Sequence, residues 1–359
     1  MSENVAIYGV TGALGREVQI ALEVEHDGLG ELIAVAGPRS AGQSVRWRGN
    51  EVEIIGPSEV ELHNVDIAVF ATSPEVAKAE APKLLHAGAK VIDGSGSLPG
   101  APLVWPRLAS MKAVDFEVVS AVALPSGLAS TLAPLVEALA AIEALGVARV
   151  VTVDVVQLTA ASAAGKSGID ALSKQAVGLL GFQPVIDPAP FSHLLAFNTL
   201  TSPASVDEVD ETRLARELVL LVPQLPLAPS LVTLWTPAFS GLTLVITLRA
   251  ATRFDEAALG ALTQAIEAHP DLAFADAQSP VESEDDEDGD GAGAVIAAVA
   301  PDAFALRDAL DQDEVRLAPV SLTRDGALRV VAFADPLHRT ALAAQELVAR
   351  WVQAAEADA

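Results

Sequence analysis

The sequence predicts an α/β protein in two parts: a doubly wound parallel sheet, then an α+β domain. Three observations lead there. Strand-like and helix-like segments alternate over residues 5–93, as they do where helices form the crossovers of a parallel sheet. After Ser120 the alternation gives way to long helices and extended, valine-rich strands. The length, 359 residues, also exceeds the roughly 250 to 300 at which one hydrophobic core stops growing, so at least two domains are expected.

Residues 5–8 are a short apolar run closed by Gly9, and 13–26 carry apolar residues at helical spacing, so the chain opens as strand, tight turn, helix. A strand is expected at 31–36, and 45–55 reads as a hairpin about Gly49-Asn50. Strands at 67–71 and 90–93 enclose a helix at 75–87. Beyond Ser120, helices at 128–145 and 165–180 bracket an extended strand at 147–158. Helix, strand, strand and helix follow at 206–221, 232–234, 243–250 and 255–268. Strands at 314–323 and 327–334 precede a closing helix at 337–352. Antiparallel strands with helices gathered on one side are the expected second domain.

Lysine and arginine number 22 against 48 aspartates and glutamates, a net charge of −26. Such a field excludes nucleic acid and anionic membrane surfaces as expected partners. The chain has no cysteine, which rules out disulfides, thiolate-held zinc, iron–sulfur clusters and covalent catalysis through a thiolate. Hydrophobic residues make up 51%, yet apolar runs such as 291–301 fall short of the ~20 residues that span a bilayer. From Met1 the chain passes straight into a strand-like segment without a basic and then apolar leader, and a cytoplasmic protein is expected. The stretch 282–290, ESEDDEDGD, has seven acidic residues in nine. It reads as a solvated loop within 277–294 whose like charges resist packing. Val295 stands where a calcium loop needs its bidentate glutamate.

The turn Gly9-Val10-Thr11-Gly12-Ala13-Leu14-Gly15 lies between the first strand and the first helix. Glycines there permit positive φ and close approach of a pyrophosphate, and the helix start offers its N–H groups to the anion. A Rossmann-type nucleotide site is expected from Gly9, Thr11, Gly12, Ala13, Leu14 and Gly15, with Thr72 at the end of the 67–71 strand. The second strand ends in Gly37-Pro38-Arg39-Ser40, without a carboxylate. Arg39 and Ser40 suit a 2′-phosphate and so point to NADP rather than NAD, Arg39 as a plain surface residue being the alternative.

Read in order, GVTGALG at 9–15, PRSAG at 38–42, APK at 81–83, VIDGS at 91–95 and LAFN at 195–198 resemble aspartate-semialdehyde dehydrogenase. The resemblance implies an NADP domain at 1–126 completed by the last helix, 337–359. It implies a catalytic and dimerisation domain at 127–336, and a homodimer. It also implies reversible, NADP-dependent interconversion of aspartyl phosphate and the semialdehyde through a cysteine thioester. That chemistry needs a thiolate, a histidine and arginines for carboxylate and phosphate. Carried onto this chain, the nucleophile position falls on Gly127 and the histidine position on Leu242. The carboxylate arginine becomes Trp235 and the phosphate arginine Pro99, while Gln157 matches the family's active-site glutamine. Trp235 and Leu242 are expected to fill or dry the cleft. Details at 123–131 and 162–175 are most similar to the Usg-type, cysteine-less branch of the family.

AASAAGKS at 160–167 ends like a P-loop, but Ala160 replaces the first glycine and would crowd a phosphate. Ser126 and Ser130 lack a histidine base. His26 and His63 are expected at the surface, His193 packed within 191–198, and His86, His269 and His338 show no metal-ligand spacing. No metal is expected. Three functions stay open. The first is an NADP-binding pseudoenzyme acting as a dimeric scaffold or regulator, with an unidentified protein partner. The second is an NADP-dependent oxidoreductase on another small aldehyde or amino-acid-derived substrate. The third is a purely structural subunit.

Overall fold

A computed structural model describes residues 2–24, 28–182, 186–201, 211–275 and 304–357. His26, the acidic stretch 277–294 and the start of the helix expected at 206–221 lie outside them.

The first half runs β1 (Glu3–Tyr8), α1 (Ala13–Val24), β2 (Leu29–Val35), β3 (Ser44–Trp47), β4 (Asn50–Ile55), β5 (Ile67–Phe70), α2 (Pro74–Ala87), β6 (Lys90–Asp93) and β7 (Ala121–Ala123). These strands make one sheet in the order β3-β4-β2-β1-β5-β6-β7. All neighbours are parallel except β3 and β4. β5 is buried along its whole length, as a parallel strand covered on both faces must be. The hairpin turns one residue earlier than expected. Trp47 already pairs with Asn50, so Arg48 and Gly49 take the two positive-φ positions that a two-residue turn requires. β7 carried no readable signal, since three residues are too few to show a period.

The second half holds α3 (Gly127–Ala144), β8 (Val150–Thr159), α4 (Gly165–Leu180), α5 (Glu211–Leu221), β9 (Ser230–Trp235), β10 (Leu242–Ala250), α6 (Glu256–Glu267), β11 (Leu272–Phe274), β12 (Val315–Leu317), β13 (Ser321–Leu322), β14 (Leu328–Ala334) and α7 (Pro336–Ala357). Its sheet has the order β11-β12-β14-β10-β8-β9, with β13 beside β14. The expectation of antiparallel strands holds for the centre only. β9 runs parallel to β8 and β11 parallel to β12, because long connections bring each back in the same direction. The single strand expected at 314–323 is two short ones.

Leu242, Leu244, Ile246 and Leu248 of β10 alternate inward with Leu328, Val330 and Ala332 of β14, and α3, α5 and α6 cover that face. Among the described helices α3 alone is long and apolar enough to cross a membrane, and 67% of that stretch is buried inside the protein. α7 returns to the first half and packs along α1. There Trp351 meets Phe116 edge-on at 5.8 Å and donates Nε1–H to the carbonyl of Val119.

Candidate functional site

β1 lies between β2 and β5, where the order of the first sheet reverses, and its end opens on the crevice where such sheets bind ligands. Gly9 adopts φ +89°, and a Cβ there would stand 2.3 Å from the carbonyl oxygen of Ala71. A Cβ on Gly15 would stand 2.1 Å from the carbonyl oxygen of Gly9. The Gly9 and Val10 amides donate to Val35 O at 2.8 and 3.2 Å, and Gly12 N–H donates to Gly9 O at 2.8 Å. The turn is therefore a close-packed cradle that only glycine backbone fits, ending in the outward N–H groups of α1. Thr11 Oγ1 and Ser40 Oγ lie 3.2 Å apart, which joins the turn to the loop after β2. Thr72 Cβ stands 3.2 Å from the place of a Cβ on Gly9. The structure thus gathers Gly9 to Gly15, Ser40 and Thr72, with Arg39 exposed beside Ser40.

From this turn a cleft of about 330 Å³ opens between the two halves. Leu14 and Gly94 line it on one side, the start of α3, Gln157, Thr233 and Arg213 on the other, and the first turn of α7 closes it. Ser126 caps α3: its Oγ accepts from Ala129 N–H at 3.2 Å. The same hydroxyl donates to Glu217 Oε2 at 2.5 Å, and Ser126 N–H donates to that oxygen at 3.2 Å. Glu217 is 1% exposed, and its other oxygen accepts from Arg213 Nε at 2.9 Å. Arg213 Nη2 reaches Ser95 O at 3.4 Å. Thr233 Oγ1 donates to Gln157 Oε1 at 3.3 Å. Sequence reasoning missed Arg213 and Glu217. Their i,i+4 spacing on a helix reads as an ordinary solvated pair, and only the packing of α5 beneath α3 turns it inward.

Gly127 lies where the resemblance puts the nucleophile. A Cβ there would stand 2.7 Å from Pro336 Cβ, so the first residue of α7 occupies that space. Trp235 and Leu242 both line the cleft as apolar wall, but they leave it open rather than filling it, contrary to that part of the expectation. Trp235 is 3% exposed because, behind the cleft wall, it packs into an apolar cluster with Leu195 and Leu200, its ring 5.3 Å from that of Phe191. Pro99 lies away from the cleft, in a surface groove with Pro82, Leu85 and Pro102. Ser130 is buried and hydrogen-bonded to Gly127 O. His63 is exposed as expected. His193 is exposed, not packed, because Phe191, Leu195 and Ala196 take the inward positions of its segment. Lys166 of the P-loop-like stretch is exposed. Beside the turn, burial pushes the Tyr8 hydroxyl up to about 12, with Glu80 adding to the effect, and the ring stacks on Phe70 at 4.4 Å. Glu17 of α1 is held above its ordinary value, first by burial and then by Asp335, with His338 opposing.

The model for the NAD-binding domain of semialdehyde dehydrogenase matches residues 4–115. Aspartate-semialdehyde dehydrogenase 2 of Vibrio cholerae is 32% identical over 200 residues, 55% of this chain and 58% of that protein, so the match spans less than two thirds of the relative. The USG-1 protein homolog of Pseudomonas aeruginosa is 30% identical over 283 residues, 74% of this chain and 78% of that protein. Among solved structures, a probable aspartate-semialdehyde dehydrogenase from Pseudomonas aeruginosa superposes with a TM-score of 0.79 at 23% identity, covering 98% of this chain and 99% of that one. Aspartate semialdehyde dehydrogenase II of Vibrio cholerae, complexed with ASA, gives 0.78 over the same shares. At that identity the likeness speaks for the fold. The turn of glycines, the two-sheet architecture and these matches together place the chain in the aspartate-semialdehyde dehydrogenase family, with a nucleotide-cofactor domain of the semialdehyde dehydrogenase type and USG-1 homologues among its relatives.

Proposed function

We propose that this chain is a pseudoenzyme of the aspartate-semialdehyde dehydrogenase family: a cytoplasmic homodimer that binds NADP and serves as a scaffold or regulator for a protein partner. The observation that carries the reading is at position 127. The sequence has no cysteine anywhere, and a Cβ on the glycine at the nucleophile position would stand 2.7 Å from Pro336 Cβ, so any side chain there requires the start of α7 to shift. A thioester route needs a thiolate at that point. Ser126 is no substitute, because its hydroxyl is engaged in capping α3 and in anchoring Glu217.

The cradle of Gly9, Gly12 and Gly15 suits a pyrophosphate held by the N–H groups of Ala13 and Leu14, while Thr11, Ser40 and Thr72 offer hydroxyls around it. Arg39 stands ready for a 2′-phosphate, which favours NADP over NAD. When bound, NADP supplies hydride chemistry; these residues hold and orient it. A second copy is supported by the outer face of the second sheet. There Val156 pairs with Val232 and Val245, and Val245 with Val331. Val232 is 56% exposed, an apolar row of the kind that protein surfaces cover by association.

Calorimetry with NADP and NAD tests the nucleotide claim. Binding of NADP in preference to NAD is expected, and no heat from either at millimolar concentration removes it. The second reading, an NADP-dependent oxidoreductase acting on another small aldehyde, is favoured by the open cleft and its polar groups Gln157 and Thr233. Cofactor turnover above background with a panel of small aldehydes would establish that reading over the first.

A further inference from the structure

The first turn of α7 has two jobs. Pro336, Leu337 and Thr340 form one wall of the cleft, and Arg339 of the same turn points the other way, into the interior, where it is 1% exposed. Its guanidinium binds several separate segments at once. Nη2 donates to Asp271 Oδ2 at 2.5 Å, Nη1 to Ser130 O of α3 at 3.3 Å, and Nε to Asp313 O at 3.1 Å. The group also lies over the Trp105 ring, 5.1 Å from its centroid. Trp105 Nε1–H donates to the same Asp271 oxygen at 2.8 Å. Asp271 Oδ1 has no hydrogen bond and faces Arg107 Nη1 at 3.6 Å. One buried charge pair thus ties a loop of the first half, α3, the approach to β11 and the start of α7 to a single point.

A buried ion pair adds little net stability compared with an apolar core, because desolvation offsets the attraction; its attested use is to fix one arrangement among several. An arginine fork stacked on an indole is suited to that, since its planar donors satisfy fixed acceptors in fixed directions. We infer that Arg339 is a positioning residue which, with Asp271, holds the first turn of α7 as the wall of the cleft. The width of the cleft, and so its affinity for a ligand, is then set by an ion pair that no ligand touches. The inference rests on reading the cleft as a ligand site, but its test needs no ligand.

Because the chain has no cysteine, one introduced thiol is a unique probe. Thr340→Cys reports on the cleft wall, and Ala81→Cys, fully buried on α2 in a separate apolar cluster, reports on general opening. Each is labelled with a thiol reagent in the parent and in an Arg339→Met background, well below the unfolding transition. The expected result is labelling at least about tenfold faster at position 340 and unchanged at position 81, as for local opening. Restoring charge alone with Arg339→Lys should recover part of the difference. Equal acceleration at both positions would mean that Arg339 only stabilises the whole protein, and no acceleration at either would mean that the wall stands without it. Both results overturn the inference. Should Arg339→Met fail to fold, Asp271→Asn carries the same comparison.

Discussion

Two helices start beside the cleft, α1 and α3, each with glycine at or just before its first turn, but the glycines do opposite things. At Gly9 and Gly15 the missing side chain lets backbone pack on backbone and leaves the front of α1 facing the crevice. At Gly127 the missing side chain lets Pro336 of a distant helix move in. On the function proposed above, the first arrangement keeps a space for a ligand, and the second gives up the space where the family chemistry needs an atom, so the same residue type would mark a retained site in one half and a surrendered one in the other. What tells them apart is the identity of the neighbour a Cβ would strike.

Gly9→Ala tests the first half of that contrast and should have the largest effect. The new methyl meets a carbonyl that cannot move without disturbing β5, and φ there is unfavourable for any other residue. A loss of about 3 kcal/mol is expected, together with loss of NADP binding. Urea denaturation and calorimetry measure the two, and a variant that keeps both would show that the turn is slack. Glu217→Ala comes next. It removes the acceptor of Ser126 and the partner of Arg213 in a buried site, and a loss of about 2 to 3 kcal/mol is expected in the same denaturation assay.

The contrast also explains what could be read in advance. The first half was legible because its signals are local: a short apolar strand, a glycine turn and an amphipathic helix succeed one another within about two dozen residues. Of the candidate cofactor residues, 9–15 lie within that local run, while Ser40 and Thr72 reach it only through the sheet. The cleft was not legible in this way. Its decisive contacts join Ser126 to Glu217 and Gly127 to Pro336, far apart in sequence, and none has a spacing rule. Trp235 illustrates the limit. Its apolar character was evident, but which way it turns depends on Phe191 and Leu200, set by a loop with no periodic pattern. β7 and β11 were missed because their pairing is decided by neighbouring strands rather than by their own three residues.

Gly127→Ala tests the second half of the contrast. The methyl overlaps the Pro336 ring, which can yield by shifting the start of α7, so a smaller loss of about 1 to 2 kcal/mol is expected. The double variant Gly127→Cys, Leu242→His should show no aspartate-semialdehyde oxidation in a coupled NADP assay. A thiol and an imidazole without a cleft shaped to hold both substrate anions supply little of the transition-state binding. Measurable turnover would mean that the surrendered half is only two residues from activity.

The smallest effect lies between α1 and the start of α7. Glu17 of α1 faces Asp335, the residue before α7, and its carboxyl is held above the ordinary range by burial first and by Asp335 next, against a smaller opposing pull from His338. A carboxyl raised in the folded state binds its proton more tightly there than in the unfolded chain. The stability this gives is complete below the ordinary glutamate value and is lost as pH rises through the folded one. At neutral pH the ionised Glu17 therefore works against the α1–α7 contact. Glu17→Gln should stabilise the protein there by about 0.5 kcal/mol, a figure kept small because water still reaches a half-buried carboxyl. Melting curves of parent and variant should separate by about 1 to 2 °C at pH 7 and converge near pH 4. A gap of the same size at both values would trace the gain to packing of the amide rather than to charge, leaving α7 seated on α1 by its apolar face alone.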